Sequence, residues 1–269
     1  MIKIAAVIVA YNRPEMLRLC LSALLTQTRP LNEIIVVDNS ANNECENIVR
    51  SEFNSVTYLR LAENMGSAGG YYEGIKIAVG HSQWVWTLDD DTVVEENTLK
   101  EVLSYIPLLE KKGKLAAFRT NYHGKPGEIA ETNGFSWSGT FIKTEIINRI
   151  GLPDKSYFLY AEDIEYSWRM IKFGYKIYLI PAGKLREIKS SSRNRRYYFT
   201  EPFRLYYTFR NQLILYLKYR RLIKFVRQLI YGFRGVLYFL LRGKLKLSRA
   251  IIYGIWHGLK GKLGKNDEY

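Results

Sequence analysis

Between Ile4 and Leu88 the chain alternates short apolar, β-branched runs with segments of helical periodicity. No other feature narrows the possible folds as far. Ile4–Val9 reads as a buried strand. Pro14 to Thr26 follows with Met16, Leu17, Cys20, Leu21 and Leu24 at helical spacing, and Pro14 suits a first helical turn. Glu33–Asp38, Val56–Leu61 and Trp84–Leu88 read as three more strands, and Gly70–Val79 as a helix. Such alternation predicts an α/β fold, a parallel sheet with helices on both faces. Ligands of these sheets bind beyond the carboxyl ends of the strands. Three polar clusters fall at such ends: Tyr11-Asn12-Arg13, Asp38-Asn39-Ser40 and Asp89-Asp90-Asp91.

Residues 115–183 read as mixed: a strand-like stretch over Phe135–Ile142, a helical stretch over Phe158–Gly174, and a strand over Tyr175–Ile180 ahead of Pro181. Lys189–Arg196 reads as a polar, basic loop, after which the chain is helical, basic and aromatic. The net charge of +14 is unevenly spread: from Lys184 onward there are 21 Lys and Arg against 4 acids, leaving 19 against 22 before it. A basic tail on a near-neutral body points to an anionic partner surface, nucleic acid or acidic lipid. Between Arg220 and Leu237, Arg220, Lys224, Arg227 and Arg234 share one helical face, while Leu222, Val226, Leu229, Phe233 and Leu237 share the opposite one. That pattern suits a helix lying in a bilayer interface, or a helical pair packed on the body with its charges solvated. No run of about 18 apolar residues predicts a membrane span, and no secretory leader is expected. Cys20 and Cys45 form no disulfide framework or metal knuckle, which suits a reducing, cytosolic compartment. Cys20 reads as a small core residue.

Three segments carry candidate chemistry. In Leu88-Asp89-Asp90-Asp91-Thr92, adjacent carboxylates at a strand end repel one another, and a divalent cation is the usual offset; a solvated helix cap is the plainer alternative. Asn64-Met65-Gly66-Ser67-Ala68-Gly69-Gly70 can bring backbone close to a ligand and open a helix whose N-terminus favours an anion, or can be an ordinary tight turn. It fits neither a Walker loop nor the dinucleotide fingerprint. Glu162 and Asp163 open a helical stretch, either as dipole partners or as a general base facing an acceptor hydroxyl.

The order of these pieces resembles the family-2 inverting glycosyltransferases of GT-A (Rossmann-like) fold. The matching residues are Val9 to Pro14 with Gln27-Thr28, Ile35 to Ser40, Asn64 to Gly70, Leu88 to Asp91, Gly139 to Ile142, and Glu162-Asp163 with Arg169, Gly174 and Tyr175. The resemblance spans about residues 3–188 and implies a catalytic domain over 1–188 with a mostly parallel sheet; the charge and amphipathic pattern beyond it give a basic, membrane-associating helical region over 189–269. It implies that Ala10, Tyr11 and Arg13 line a nucleotide pocket, that Asp38 bonds the base, and that Asn64, Gly66, Gly69 and Gly70 lie against ribose and diphosphate. Asp89 and Asp91 would hold Mn2+ or Mg2+, with Asp90 near ribose or sugar. Asp163 would be the catalytic base, with Glu162 beside it. Trp137 and Ser138 would face the acceptor, and Arg169 would line that side or pair with nearby acids. Family members often carry a metal-binding His where this chain has Leu185-Arg186-Glu187-Ile188. Glu187 is then the candidate third ligand, or the metal has fewer protein ligands, and His81 and His123 are expected at the surface.

Three Asp after Trp86-Thr87-Leu88 look more like galactofuranosyltransferases using UDP-galactofuranose than relatives using dTDP-rhamnose, which more often show Asp-Gln-Asp. Tyr206 to Asn211 resembles a segment of relatives acting on lipid-linked saccharides; its Arg and aromatics could grip a sugar or diphosphate, or simply pack. The expected partners are therefore a nucleotide sugar, a lipid-linked saccharide acceptor and an anionic membrane surface, on the cytoplasmic face. A nucleotidyltransferase is disfavoured because Tyr11 to Pro14 lacks glycine. A nucleic-acid binder is disfavoured because the basic residues are interleaved with long apolar runs, and a hydrolase leaves the Asn64–Gly70 segment unexplained.

Overall fold

The computed structural model describes residues 2–120, 127–188 and 201–269. His123 and the predicted loop Lys189–Arg196 lie outside them. Among the described residues, ten strands and ten α-helices follow in chain order, with a 3-10 turn at Lys155–Tyr157. The first half holds β1 (Ile4–Ala10), α1 (Pro14–Leu25), β2 (Glu33–Asp38), α2 (Glu44–Glu52), β3 (Thr57–Arg60), α3 (Gly66–Ala78), β4 (Trp84–Asp89), β5 (Thr92–Val94), α4 (Thr98–Ser104), α5 (Ile106–Lys111) and β6 (Leu115–Thr120). Then come β7 (Ala130–Thr132), β8 (Thr140–Lys143), α6 (Thr144–Ile150), α7 (Glu162–Lys172), β9 (Lys176–Ile180), β10 (Leu185–Glu187), α8 (Pro202–Lys218), α9 (Leu222–Leu240) and α10 (Leu245–Leu259).

Eight strands form one sheet in the order β3-β2-β1-β4-β8-β6-β9-β7. The quartet β3-β2-β1-β4 is wholly parallel. Beyond β4 the sheet is mixed, because β8 runs antiparallel to both β4 and β6 while β9 returns parallel to β6. β1 is buried on both faces, as a central parallel strand should be. Its period of two sends Ile4, Ala6, Ile8 and Ala10 into the layer holding Leu17, Leu21 and Trp86, and Ala5 and Val7 into the layer holding Tyr71 and Ile75. The chain winds outward from β1 to β3, then crosses back to put β4 on the other side of β1. That reversal is the switch point at which such sheets bind ligands.

The chain divides into two compact units, residues 1–155 with 163–188, and residues 156–162 with 189–269. A boundary drawn at 188 does not anticipate that 156–162 join the second unit. There α8, α9 and α10 pack around Leu205, Tyr206, Tyr207, Phe239 and Ile251. α8 ends at Lys218, and Arg220 takes a left-handed φ of 52° before α9 starts at Leu222. The predicted faces of α9 are real, but the apolar one is not what packs. Gln228, Gly232 and Phe239 are buried, whereas Leu222, Val226, Phe233 and Leu237 stay exposed. No helix among the described residues is long and apolar enough to cross a membrane.

Candidate active site

The acidic triplet ends β4 beside the end of β1. Arg13, just before α1, reaches it: its Nη1 donates to Asp91 Oδ2 at 2.7 Å, its Nε to Asp90 Oδ2 at 3.2 Å, and its Nη2 pairs with Asp90 Oδ1. The Tyr11 amide also donates to Asp90 Oδ2, at 3.1 Å. Asp89 takes a different partner, the Tyr71 hydroxyl at 2.8 Å, which also lies 3.0 Å from the Leu88 carbonyl. A guanidinium thus bridges two of the three adjacent acids. Burial still dominates the electrostatics. It pushes Asp90 up to about 7 against the opposing pull of Arg13, and raises Asp89, with the charge of Asp91 adding to the rise.

Asp38, at the end of β2, is fully buried. Its Oδ1 accepts the Ser40 amide at 2.8 Å and its Oδ2 the Tyr58 hydroxyl at 2.6 Å. A base can bond Asp38 directly only if these neighbours make room. Asn39 ties the next segment down: its Oδ1 accepts the Met65 amide at 2.9 Å and its Nδ2 donates to the Gly66 carbonyl at 3.1 Å. Asn64 Oδ1 caps the Gly66 amide at 2.8 Å, and Gly66 has a left-handed φ of 69°. The helix α3 starts here rather than at Gly70, so Gly69 and Gly70 belong to its first turns. A Cβ on Gly70 would lie 2.5 Å from Val9 Cγ1. That glycine serves close approach of α3 to β1.

On the other side of β4, residues 133–139 form a loop rather than the predicted strand, and only Thr140–Lys143 pairs as β8. The Thr87 hydroxyl donates to the Trp137 carbonyl at 2.5 Å, and Gly139 turns with φ 81° while its amide bonds the Thr87 carbonyl. The Trp137 ring is a core group, stacked on Tyr71 at 4.6 Å and 5 % exposed. Ser138 is buried too; its Oγ lies 2.7 Å from Thr92 Oγ1 and accepts the Asp89 amide at 3.3 Å. Both residues support the end of β4 from behind rather than presenting side chains outward.

Asp163 sits in the first turn of α7. Its Oδ1 accepts the Ile164 amide at 2.7 Å, and its carbonyl accepts the Ser167 hydroxyl, which in turn accepts the Phe135 amide. Burial pushes its carboxyl up to about 6, opposed by the backbone amides and by Arg119, and assisted by Asp89. Asp163, Asp89 and Arg119 therefore share one electrostatic neighbourhood. Glu162 is buried beside it in sequence. Arg169 faces back along α7 to Glu165, with its Nη1 on the Leu152 carbonyl at 2.8 Å. Sequence reading did not single out Tyr71, Tyr58 or Arg119, because an isolated Tyr in a helix or Arg in a strand carries no local signal of the carboxylate it meets.

The donor set is all oxygen, which suits magnesium or manganese. Glu187 on β10 pairs in register with Thr92, the Ile188 amide bonds the Asp91 carbonyl at 2.8 Å, and the Glu187 charge is felt at Asp89. Among the described residues, however, no three such groups converge on a common point. Glu187 is exposed, and Arg13 takes Asp91. Of the two arrangements expected, with Glu187 as third ligand or with fewer protein ligands, the donor set suits a cation held by one or two carboxylates and completed by phosphate oxygens.

The sequence profile named glycosyl transferase family 2 matches residues 5–152, the stretch holding the switch point and the acidic triplet. The chain belongs to this family. As a family-2 glycosyltransferase it resembles galactofuranosyltransferase GlfT1 of Mycolicibacterium smegmatis, at 24% identity over 78% of this chain and 81% of that one. It also resembles the dTDP-rhamnosyl transferase RfbF of Shigella flexneri, at 23% identity over 97% of both chains. Solved structures place its fold among the GT-A glycosyltransferases. Staphylococcus aureus TarS 1-349 superposes with a TM-score of 0.61 at 17% identity, over 97% of this glycosyltransferase and 81% of that chain. GalNAc-T7, solved with UDP, GalNAc and Mn2+, gives 0.59 at 15% identity over 71% of this chain, which spans 45% of that protein.

Proposed function

We propose that this glycosyltransferase inverts the anomeric centre of a nucleotide diphosphate sugar, with Asp163 as base, on an acceptor carried at a membrane surface. The observation that carries the reading is Asp163: a carboxylate raised to about 6 by burial, held by backbone amides, in the electrostatic neighbourhood of Asp89 at the switch point. The acceptor hydroxyl forms its bond to the anomeric carbon from the side opposite the diphosphate. Its proton passes to Asp163 as the bond to the diphosphate oxygen breaks and the nucleoside diphosphate leaves. Asp89 and Asp91 would hold Mn2+ or Mg2+, with Glu187 adjacent. Such a cation would neutralise the leaving diphosphate. Arg13, which bonds Asp90 and Asp91, would line the nucleotide pocket beside them. Tyr11 and Ala10 line the base pocket, and Asn64 to Gly70 flank the diphosphate at the N-terminus of α3. Alignment of two substrates supplies much of the remaining rate.

The donor reading is UDP-galactofuranose, supported by the GlfT1 likeness and the Asp triplet. dTDP-rhamnose is the second reading, favoured by the RfbF likeness along nearly the whole chain. Calorimetric titration of UDP and dTDP, each with and without manganese, separates them. Manganese-dependent UDP binding supports the first, and preference for dTDP moves the donor to rhamnose. Binding of neither by folded protein defeats the nucleotide pocket.

The membrane part rests on α9. At about 100° per residue its circumference divides into three sectors. Gln228, Gly232 and Phe239 pack; Leu222, Val226, Phe233 and Leu237 are exposed; Lys224, Arg227 and Arg234 form the third, exposed sector. A long exposed apolar stripe next to a cationic sector of the same helix matches an anionic bilayer interface. The half-exposed rings of Tyr238 and Trp256, capped by Arg242 at 3.8 Å and Lys260 at 4.0 Å, suit the headgroup level.

A further inference from the structure

The segment that leads into Glu162 and Asp163 has an unusual backbone. Phe158, Tyr160 and Ala161 have φ of 64°, 68° and 68°, and none is glycine. Left-handed φ is uncommon for such residues, and three in four positions persist only where surrounding groups hold them. The Leu159 amide bonds the Tyr157 carbonyl at 2.8 Å around Phe158, a strained three-residue turn. Two adjacent residues of α8 supply the hold. Asn211 Nδ2 donates to the carbonyls of Tyr157, Leu159 and Tyr160 at 2.9, 2.7 and 2.9 Å. Arg210 Nη2 donates to the Tyr157 carbonyl at 2.9 Å, and its Nε donates to Asn211 Oδ1 at 2.7 Å, which fixes the amide's orientation. Both side chains are essentially fully buried, at 1 % and 0 % exposure. The guanidinium lies over the rings of Tyr207 and Tyr206, and among the described residues its hydrogen bonds go to carbonyls and the Asn211 amide rather than a carboxylate. Burial lowers its pKa, so a buried cation is being spent on backbone carbonyls.

We infer that Arg210 and Asn211 are positioning residues for the transfer step: their hydrogen bonds hold the left-handed backbone of Phe158, Tyr160 and Ala161, and so fix how the first turn of α7, which carries Asp163, begins. The inference rests on the reading of Asp163 as base. It also replaces the idea that the Tyr206 to Asn211 segment grips a sugar or diphosphate, since Tyr206, Tyr207 and Arg210 are sealed in the core of the second unit.

The test uses the full chain with its nucleotide sugar donor. Asn211→Asp keeps the shape but removes the amide donors and faces three carbonyls with a carboxylate. It should lower kcat by about tenfold to hundredfold, the range expected of a misplaced catalytic group, while UDP or dTDP affinity by calorimetry stays within about twofold. Glycine adopts positive φ without help, so adding Ala161→Gly to Asn211→Asp should recover a large part of kcat. Arg210→Lys should give a smaller loss of the same kind. Unchanged kcat in Asn211→Asp, parallel loss of kcat and nucleotide affinity, or failure of Ala161→Gly to rescue would each overturn the inference. Should Asn211→Asp fail to fold, Arg210→Lys with and without Ala161→Gly carries the same comparison. Asp163→Asn is the control: if it keeps full turnover, the base assignment has failed, whereas an inactive Asp163→Asn beside a fully active Asn211→Asp removes only the positioning role.

Discussion

Asp163 and Asp89 illustrate how much of this site is carried by burial of carboxylates. A base must be unprotonated, so kcat should fall about tenfold per pH unit below about 6 and level off above it, in a pH–rate series at saturating donor. Because the folded value lies above the ordinary 3.8, the native state holds this proton more tightly than the unfolded chain. The contribution to stability is therefore full below the ordinary value and is lost as pH rises through about 6. Asp163→Asn should abolish transfer and leave nucleotide affinity nearly intact, read by single-turnover kinetics and calorimetry. Tyr71→Phe removes the hydroxyl shared by Asp89 and the Leu88 carbonyl. It should cost about 1–3 kcal/mol in denaturant unfolding, the usual consequence of stripping a donor from buried acceptors.

At the scale of elements, α3 and α9 show opposite uses of a helix surface. α3 lies so close to β1 that Gly70 and Gly74 meet Val9 and Val7 directly. Gly70→Ala should therefore destabilise by about 1–3 kcal/mol, as overpacking does, and shift the unfolding midpoint without altering the denaturant slope. α9 instead leaves its apolar stripe bare. Ile223 and Phe233 are 79% and 71% exposed. Replacing either with Glu should leave the melting temperature nearly unchanged and weaken binding to anionic vesicles by about tenfold, in a flotation or sedimentation assay. Equal vesicle binding by the variants, or a concentration-dependent dimer lost in them, would move the stripe from lipid to self-association.

For the whole molecule, the parallel quartet β3-β2-β1-β4 and its crossovers were legible from residues 4–88, because each strand is a separate apolar run and each helix has its own periodicity. The polar clusters at the strand ends were legible for the same reason: the positions where apolar patterning stops are local facts. Sequence alone also sufficed for the charge asymmetry and the amphipathic pattern of α9. Other features depended on distant residues meeting. The antiparallel insertion of β8 between β4 and β6, the loop in place of a strand over 133–139, and the joining of 156–162 to the helical unit are all decided by partners far along the chain. So are the grip of Arg13 on Asp90 and Asp91, some 77 residues away in sequence, and the hold of Asn211 on a left-handed turn some 51 to 54 residues before it. Periodicity and propensity report on neighbours within a few positions. Whether a buried charge is offset by a cation, a guanidinium or a ring of carbonyls is a matter of which groups tertiary packing brings within hydrogen-bond reach, and that is where the chain's folding, rather than its local pattern, made the decision.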